Sequence, residues 1–241
     1  MVQSDETSPL LTQPAPARAT PADVAPLRFR DLPRAVNMAG RAFAKNDLTE
    51  YFTSVATAPW SRACAWLLRF IRFAGSVYQR RMLTIGRGTA AVVFGAPNNH
   101  KTHWLVRLLS SILDAFRPTA LVKRRNEFSS VIKPMVQDAF GATVDEMYEI
   151  EGLATDPEAQ GRGYAKLLVK TVTDMADREG RDTWVVTTDA RSFYEAVGFS
   201  VERTGVVGAD DPTWRNPPIS VYIMRRAAKR PQGEPEGADA A

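Results

Sequence analysis

The feature that most constrains this chain is a glycine-rich turn between a strand-like segment and an apolar helical run. Residues 150–165 read Ile-Glu-Gly-Leu-Ala-Thr-Asp-Pro-Glu-Ala-Gln-Gly-Arg-Gly-Tyr-Ala. The strand is predicted to end at Asp156-Pro157, and an amphipathic helix is predicted from about Gly163 to Arg178. Such a joint presents backbone N–H groups, the positive end of a helix dipole and an arginine to a phosphate. The sequence therefore predicts a diphosphate site in this turn.

The two glycines explain why this spacing suits a diphosphate. Gly161 and Gly163 have no Cβ, so the backbone can approach the ligand closely and adopt positive φ at little cost. The first helical turn leaves N–H groups without intrahelical partners, and Arg162 can add a charge-assisted bond. The turn is not a Walker loop, since no Gly-Lys-Ser/Thr follows, and it is not a strict Gly-x-Gly-x-x-Gly. An ordinary strand–loop–helix joint is the alternative interpretation.

Composition narrows the class of protein. The chain has 241 residues, of which 44% are hydrophobic and 24% charged, as in soluble globular proteins. A net charge of +4 favours anionic ligands, among which coenzyme A, nucleic acid and acidic surfaces fit equally well. Cys64 is the only cysteine, and no basic start with an apolar run opens the sequence, so we expect a cytoplasmic protein. No uncharged apolar run approaches the ~20 residues that span a bilayer.

The rest of the chain is predicted to form one domain over 23–227, between disordered tails at 1–22 and 228–241. The amino-terminal half is predicted to contain a short strand from Val24 to Phe29, a helix capped by Asp31 that runs to about Ala44, a helix over 61–79 and a hairpin around Arg87-Gly88. After the helix that follows the glycine-rich turn, we predict a strand over 184–187, a short helix over 193–199 ended by Gly198, and two closing strands over 200–207 and 219–224. The helix over 61–79 is basic and amphipathic. A helix packed on its own core is favoured for it over one lying on a membrane surface.

Residues 96–147 are too many for a plain loop and are predicted to be a helical insertion. One helix is expected to end at Pro118, and a second helical region over 120–139 to be interrupted at Pro134. The run Lys123-Arg124-Arg125 is interpreted as a solvated face, with a weaker hypothesis that it guides an anionic acceptor or a 3′-phosphate.

Two ordered motifs carry a resemblance to a known family. Gln160, Gly163 and Ala165 fill the fixed positions of Gln/Arg-x-x-Gly-x-Gly/Ala, and residues 193–199 read Phe-Tyr-Glu-Ala-Val-Gly-Phe. In both, the chain resembles the GNAT superfamily of N-acetyltransferases, over roughly residues 24–226. The resemblance implies an α/β (α+β) fold, with a mixed, mainly antiparallel sheet of six to seven strands flanked by helices. Two parallel central strands would splay apart, and acetyl-CoA, the implied co-substrate, would lie in the gap.

The resemblance also implies roles for residues, position by position. Leu153, Ala154 and Thr155 would offer backbone groups to the pantetheine arm and the acetyl carbonyl, with an oxyanion met by a backbone N–H near Ala154. Gln160, Gly161, Arg162, Gly163, Tyr164 and Ala165 would hold the pyrophosphate. Tyr194 would protonate the departing thiolate, or else be a core aromatic. Many relatives have an asparagine where this chain has Ala190, and Asp189 or Ser192 would replace that contact unless it is absent.

Acetyl transfer to an amine requires a neutral nucleophile. Neutralising a lysine at pH 7 costs roughly 4–5 kcal/mol and an α-amine only about 1–1.5 kcal/mol, so a lysine acceptor would demand a general base. Glu149 and Glu151 lie two apart on the predicted strand and share a face. Glu149 aligns with the base of the histone-acetylating branch of the family, although a solvent-facing strand carboxylate fits it equally well. Glu151 is the alternative base, acting through a water.

The sequence therefore predicts an acetyl-CoA-dependent N-acetyltransferase acting on a primary amine of a small molecule or peptide. The alternative is a catalytically idle acyl-CoA-binding or regulatory module. Nucleic acid is not an expected partner, because no recognition motif is present. A metal is not expected either, since His100 and His103 lack accompanying cysteines or carboxylates. The acceptor and the oligomeric state do not follow from the sequence.

Overall fold

The fold is seen in a computed structural model that describes residues 20, 23–97, 104–114 and 117–229. The strands are β1 (Ala25–Pro26), β2 (Met82–Ile85), β3 (Ala90–Gly95), β4 (Tyr148–Thr155), β5 (Thr183–Thr187), β6 (Ser200–Val207) and β7 (Ile219–Arg226). The helices are α1 (Leu32–Ala42), α2 (Asp47–Thr53), α3 (Ser61–Tyr78), α4 (Trp104–Asp114), α5 (Thr119–Phe140), α6 (Tyr164–Arg178) and α7 (Arg191–Ala196). Short 3₁₀ helices cover Phe29–Asp31, Gly141–Glu146 and Pro157–Ala159.

The strands form one sheet in the order β1-β2-β3-β4-β5-β7-β6. Strands β4 and β5 run parallel, and each other neighbouring pair in the described sheet is antiparallel. Helix α6 makes the crossover between β4 and β5, as a parallel connection requires. The predicted mixed, mainly antiparallel sheet with a parallel central pair is therefore confirmed.

Helices cover both faces of the sheet. Along β3, Ala90, Val92 and Phe94 pack against α6, while Ala91 and Val93 pack against α1. This alternation is the strand period of two, and it explains why the whole strand is buried and apolar. The face opposite α6 is completed by α3 beside α1, and by α2 and α5 over the far strands.

Several predicted elements differ from the structure near the amino-terminal end of the fold. The strand expected from Val24 to Phe29 is limited to β1, because a 3₁₀ turn begins at Phe29. Asp31 precedes α1 but makes no capping bond, since it accepts hydrogen bonds of 3.1 and 3.0 Å from the Arg87 guanidinium. Helix α1 ends at Ala42, and α2 was not predicted at all.

Two predictions about the insertion are wrong for helix α5. The helix runs without interruption through Pro134, although proline cannot donate to the carbonyl one turn earlier. Side chains on both sides of the proline, including Val131 and Met135, pack on the sheet and hold the two halves in line. Arg124 is buried rather than solvated: its Nε donates to Asp211 at 2.7 Å and its guanidinium lies 4.3 Å from the Tyr51 ring centroid.

The predicted tails lie outside the described residues, apart from residues 20, 228 and 229. Among the described residues, no helix is long and apolar enough to cross a membrane.

Candidate active site

A gap opens in the sheet where β4 and β5 part. The two strands pair at Tyr148 with Thr183, Glu149 with Trp184 and Ile150 with Val185. No later pair follows among the described residues, although β4 continues to Thr155. One edge of β4 is bonded to β3 up to Thr155, so the other edge presents backbone groups to the gap. Leu153, Ala154 and Thr155, the predicted binding residues on the strand, lie in this unpaired stretch.

A β-bulge lies in β4 where its pairing with β5 ends. Val93 pairs with Gly152 and Phe94 with Ile150, so Glu151 is an extra residue on β4. Ile150 packs on the α6 side of the sheet, whereas Ala154, four residues later, packs on the α1 side. Without a bulge, both would share one face. The bulge therefore re-aims the strand as it enters the gap.

The predicted diphosphate turn stands at the mouth of the gap. Gly161 and Gly163 have φ of 76° and 80°, and Gly163 precedes the first turn of α6. A Cβ placed on either glycine would meet no atom within 4 Å, so the concave side of the turn is open. Within the described residues, the backbone N–H groups from Gly161 to Lys166 donate to no acceptor. Successive free donors at a helix start are the arrangement that binds anions in proteins.

An ion pair and hydrogen bonds hold residues 156–162, which lead into this turn, in place. Asp156 accepts a hydrogen bond from Arg41 of α1, and this bond holds the pKa of the Asp156 carboxyl below its usual value. Its backbone N–H donates to Thr89 at 2.9 Å, and its side chain caps the 3₁₀ turn through the Glu158 N–H at 3.3 Å. The Arg162 guanidinium donates to the Glu158 carbonyl at 3.2 Å, which keeps it beside the turn. The donors are thus oriented before any ligand arrives.

The structure brings the two candidate bases together with an arginine. Arg81 is buried, and its Nη1 donates to Glu151 Oε1 at 2.6 Å. Burial raises the pKa of Glu149 to about 7, the charge of Glu151 adds to this effect, and Arg81 opposes it. Glu149 therefore exchanges a proton near neutral pH, which is the property of an effective general base.

Tyr194 lies in the core cluster on the α6 side of the sheet. Its ring contacts those of Phe193 and Phe199 edge to face, and burial raises the pKa of its hydroxyl further above the usual value, with Asp189 adding to the effect. The Tyr194 hydroxyl makes no hydrogen bond within the described residues, and the side chain is almost fully buried. Since Tyr148 and Ile150 share the cluster with Tyr194, the Glu149 side chain between them points to the opposite face.

Ala190, which stands where the resemblance implies an asparagine, directly precedes α7. The Ala190 N–H donates to Thr187 Oγ1 at 3.2 Å. Asp189 is exposed and accepts from the Thr188 hydroxyl at 3.4 Å, and Ser192 is exposed. The replacement of the asparagine contact by either side chain stays a prediction.

A groove lies on the α1 side of the sheet. It has a volume of about 800 Å³, and its walls come from α2, the 56–60 loop, the first half of α3, the end of α4 and the start of α5. Asn46 stands between one wall of this groove, at Thr49, and Thr188, the residue after β5. Its Oδ1 accepts the Thr49 N–H at 3.0 Å, as an N-cap of α2, and its Nδ2 donates to Thr188 at 3.4 Å.

Two contributions to the site were missed from the sequence. Asn46 followed by Asp47 and Glu50 is an N-cap pattern, so α2 could have been found from local signals. The pairing of Arg81 with Glu151 joins residues 70 apart in the chain, and no local signal predicts it. No group of metal ligands is present among the described residues, and His100 and His103 lie outside them.

A comparison with protein families finds a match in the second half of the chain. A family model described as an acetyltransferase (GNAT) domain matches residues 132–201. This match covers the end of α5, β4, the glycine turn, α6, β5 and α7. A search among curated proteins finds no match.

Solved structures share the fold at low sequence identity. A histone acetyltransferase HPA2 and related acetyltransferase from Corynebacterium glutamicum is 18% identical, with a TM-score of 0.51 over 87% of this chain and 98% of that one. An arylalkylamine N-acetyltransferase 2 from Aedes aegypti is 13% identical, with a TM-score of 0.52 over 86% and 98%. An N-acetyltransferase from Staphylococcus aureus is 11% identical, with a TM-score of 0.52 over 84% and 98%. At these identities the likeness concerns the fold alone.

The burial of Glu149 has a consequence for stability. Its pKa is near 4.5 when exposed and about 7 in the fold, so ionisation between these values favours the unfolded chain. The destabilisation is absent below pH 4.5 and complete above pH 7. We therefore expect Glu149→Gln to raise the melting temperature at pH 8 and to leave it nearly unchanged at pH 4.5. Differential scanning calorimetry at both pH values measures this, with exposed Glu158→Gln as the control. An equal shift at both pH values would contradict the raised pKa.

Proposed function

Because this chain belongs to the GNAT superfamily, we propose that it is an acetyl-CoA-dependent N-acetyltransferase. The acceptor is a primary amine of a small molecule or peptide, and it attacks directly in a ternary complex. The observation that carries the proposal is the row of six free N–H groups from Gly161 to Lys166 beside the parted strands. A diphosphate fits this row because it needs several converging donors that no side chain obstructs.

The coenzyme's remaining contacts follow the unpaired edge of β4. Pantetheine carries two amides, which bond well to an extended backbone with free groups. Leu153, Ala154 and Thr155 offer such groups, and the backbone N–H near Ala154 would meet the developing oxyanion. The Thr155 hydroxyl is enclosed and has no partner in the described residues, so it too is available to a polar ligand atom. Gln160, Arg162, Tyr164 and Ala165 would complete the contacts to the pyrophosphate.

In the proposed reaction, the amine nitrogen attacks the acetyl carbonyl carbon and the carbon–sulfur bond then breaks. The proton lost by the amine passes to Glu149, directly or through a water, and the departing thiolate takes a proton from Tyr194. Glu149 and Tyr194 lie on opposite faces of the sheet. The amine can therefore lose its proton on one face while the thiolate gains a proton on the other.

The charges around Glu149 favour it over Glu151 as the base. Glu151 is held by the buried guanidinium of Arg81, which occupies one of its carboxylate oxygens. Glu149 has the pKa near 7 that suits a base at physiological pH. We assign Glu151 and Arg81 as positioning residues, because their charges raise and lower, respectively, the Glu149 pKa that burial has already raised.

The groove beside α2 is the proposed entrance for the acceptor. Its volume of about 800 Å³ is within the range of small-molecule sites. Asn46 bonds both to Thr49 of its wall and to Thr188, the residue after β5. An acceptor that entered through this groove would approach the sheet from the face that carries Glu149.

The coenzyme site is tested by changing one glycine. Gly163→Glu places a carboxylate where the diphosphate would lie, so we expect the affinity for acetyl-CoA to fall by about 100-fold or more, measured by isothermal titration calorimetry. Gly180→Glu is the matched control, because Gly180 also has positive φ and open space at Cβ but lies at the other end of α6. Unchanged acetyl-CoA affinity in Gly163→Glu would exclude the proposed function.

The acid is tested by Tyr194→Phe, which removes only the hydroxyl. We expect kcat to fall by about 10²–10⁴, with acetyl-CoA affinity nearly intact. Tyr148→Phe is a control for a buried tyrosine, since its hydroxyl bonds to Glu179 on the outside of α6. Thiol release from acetyl-CoA over a panel of amines provides the rates. If the wild type binds acetyl-CoA but acetylates no amine, the chain is instead the idle acyl-CoA-binding module.

The base is tested by the pH dependence of kcat/KM. We expect a rise through pH 7 in the wild type, because Glu149 must lose its proton to act. Glu149→Gln should remove this rise, and higher pH should partly restore the rate by neutralising the amine. Glu151→Gln is the matched variant, and it should shift the rise to lower pH by removing a nearby negative charge. If instead Glu151→Gln alone loses the rise, the assignments are reversed.

A further inference from the structure

An apolar patch lies on α3, α4 and the turn before α1. It consists of Phe29, Tyr78, Leu108, Leu109 and Ile112, which are 56%, 67%, 50%, 39% and 50% exposed. A shallow groove between α3 and α4, with Ala74, Gly75 and Val106 among its walls, runs beside Phe29, Tyr78 and Leu109. We call these five residues the α3–α4 patch. Large side chains exposed together in this way mark an interaction surface.

The charged side chains of α3, which forms one wall of the α3–α4 patch, are all positive. From residue 51 to residue 113 the sequence contains no aspartate and no glutamate, but seven arginines and one lysine. Arg62, Arg72 and Arg80 are exposed on α3 or just beyond its end. Arg62, Arg72 and Arg80 have no carboxylate partner among the described residues. The partner of this surface must therefore tolerate or supply negative charge.

The combination of apolar and basic groups favours an anionic bilayer over a second copy of the chain or a nucleic acid. Two copies of the chain meeting through this patch would bring arginines of like charge together without carboxylates to pair them. A nucleic acid would satisfy the arginines and leave Leu108, Leu109 and Ile112 in water. An anionic bilayer satisfies both, since its headgroups attract arginines and its acyl boundary accepts leucine, isoleucine and aromatic side chains.

We propose that the α3–α4 patch binds the surface of anionic lipid bilayers, with Leu108, Leu109 and Ile112 entering the acyl boundary and Arg72 and Arg80 among the headgroups. The helix α3 packs its other side on α1 through Phe70, Phe73 and Val77, so binding needs no unfolding. The proposal does not rest on acetyl transfer, and neither result affects the other.

The test is co-sedimentation of the full chain with vesicles. We expect binding to phosphatidylcholine vesicles that contain about one third phosphatidylglycerol, little binding to pure phosphatidylcholine, and release as salt rises from about 0.1 M to about 0.5 M. Leu108→Ser with Ile112→Ser should weaken the partition coefficient about tenfold or more. Arg72→Gln with Arg80→Gln should weaken it roughly 30-fold at low salt.

Matched controls separate the patch from general changes in polarity and charge. Val206→Ser removes an exposed apolar residue on β6 and should bind like the wild type. Lys170→Gln with Arg178→Gln removes two positive charges from α6, on the other face of the sheet, and should weaken binding far less than Arg72→Gln with Arg80→Gln. Far-UV circular dichroism and the melting temperature check that each variant is folded.

Three outcomes would overturn the proposal. One is no binding of the wild type to anionic vesicles at low salt. Another is equal binding by the patch variants and the controls. The third is a dimer in light scattering that Leu108→Ser with Ile112→Ser converts to a monomer while vesicle binding is absent, because the patch would then join two copies.

Discussion

The hydrogen bonding between β4 and β5 ends after three residue pairs, and the candidate site depends on this early ending. Were the pairing to continue to Thr155, the backbone groups that face the gap would be used within the sheet. The bulge at Glu151 accompanies the separation, and α6 begins at the mouth of the gap because the crossover must start there. Tyr194 and Glu149 then flank one opening from two faces. A single interruption in the sheet thus organises binding groups and candidate catalytic groups together.

The parts of the fold that the sequence predicted are those specified by local patterns. The glycine turn, α6 and α7 were predicted because positive-φ glycines, helix starts and apolar periodicity occupy adjacent residues. The hairpin of β2 and β3 was predicted because Arg87-Gly88 separates two β-rich runs. The mixed sheet with a parallel central pair followed from the resemblance, which implied six to seven strands and no strand order. Residue roles at the site stay predictions until the variants are measured.

The parts that were not predicted depend on contacts between distant residues. A basic run gives no sign that its middle member is buried, yet Arg124 is enclosed because Asp211, Thr213 and the Tyr51 ring surround it. Likewise, the interruption expected at Pro134 does not occur, because tertiary packing of Val131 and Met135 outweighs the lost backbone bond. The raised pKa of Glu149 also arises from folding, since burial is its main cause.

The proposed diphosphate site consists almost entirely of main-chain groups, which has a consequence for how its sequence can evolve. Backbone N–H groups are the same in every residue except proline, so most of the side chains along the turn can be replaced without removing a donor. The turn requires only two residues that can adopt positive φ, Gly161 and Gly163, and a helix that begins directly after them. Such a site can persist while the surrounding sequence diverges almost completely. The backbone geometry of the turn then remains recognisable in the structure after the sequence has lost its similarity to relatives.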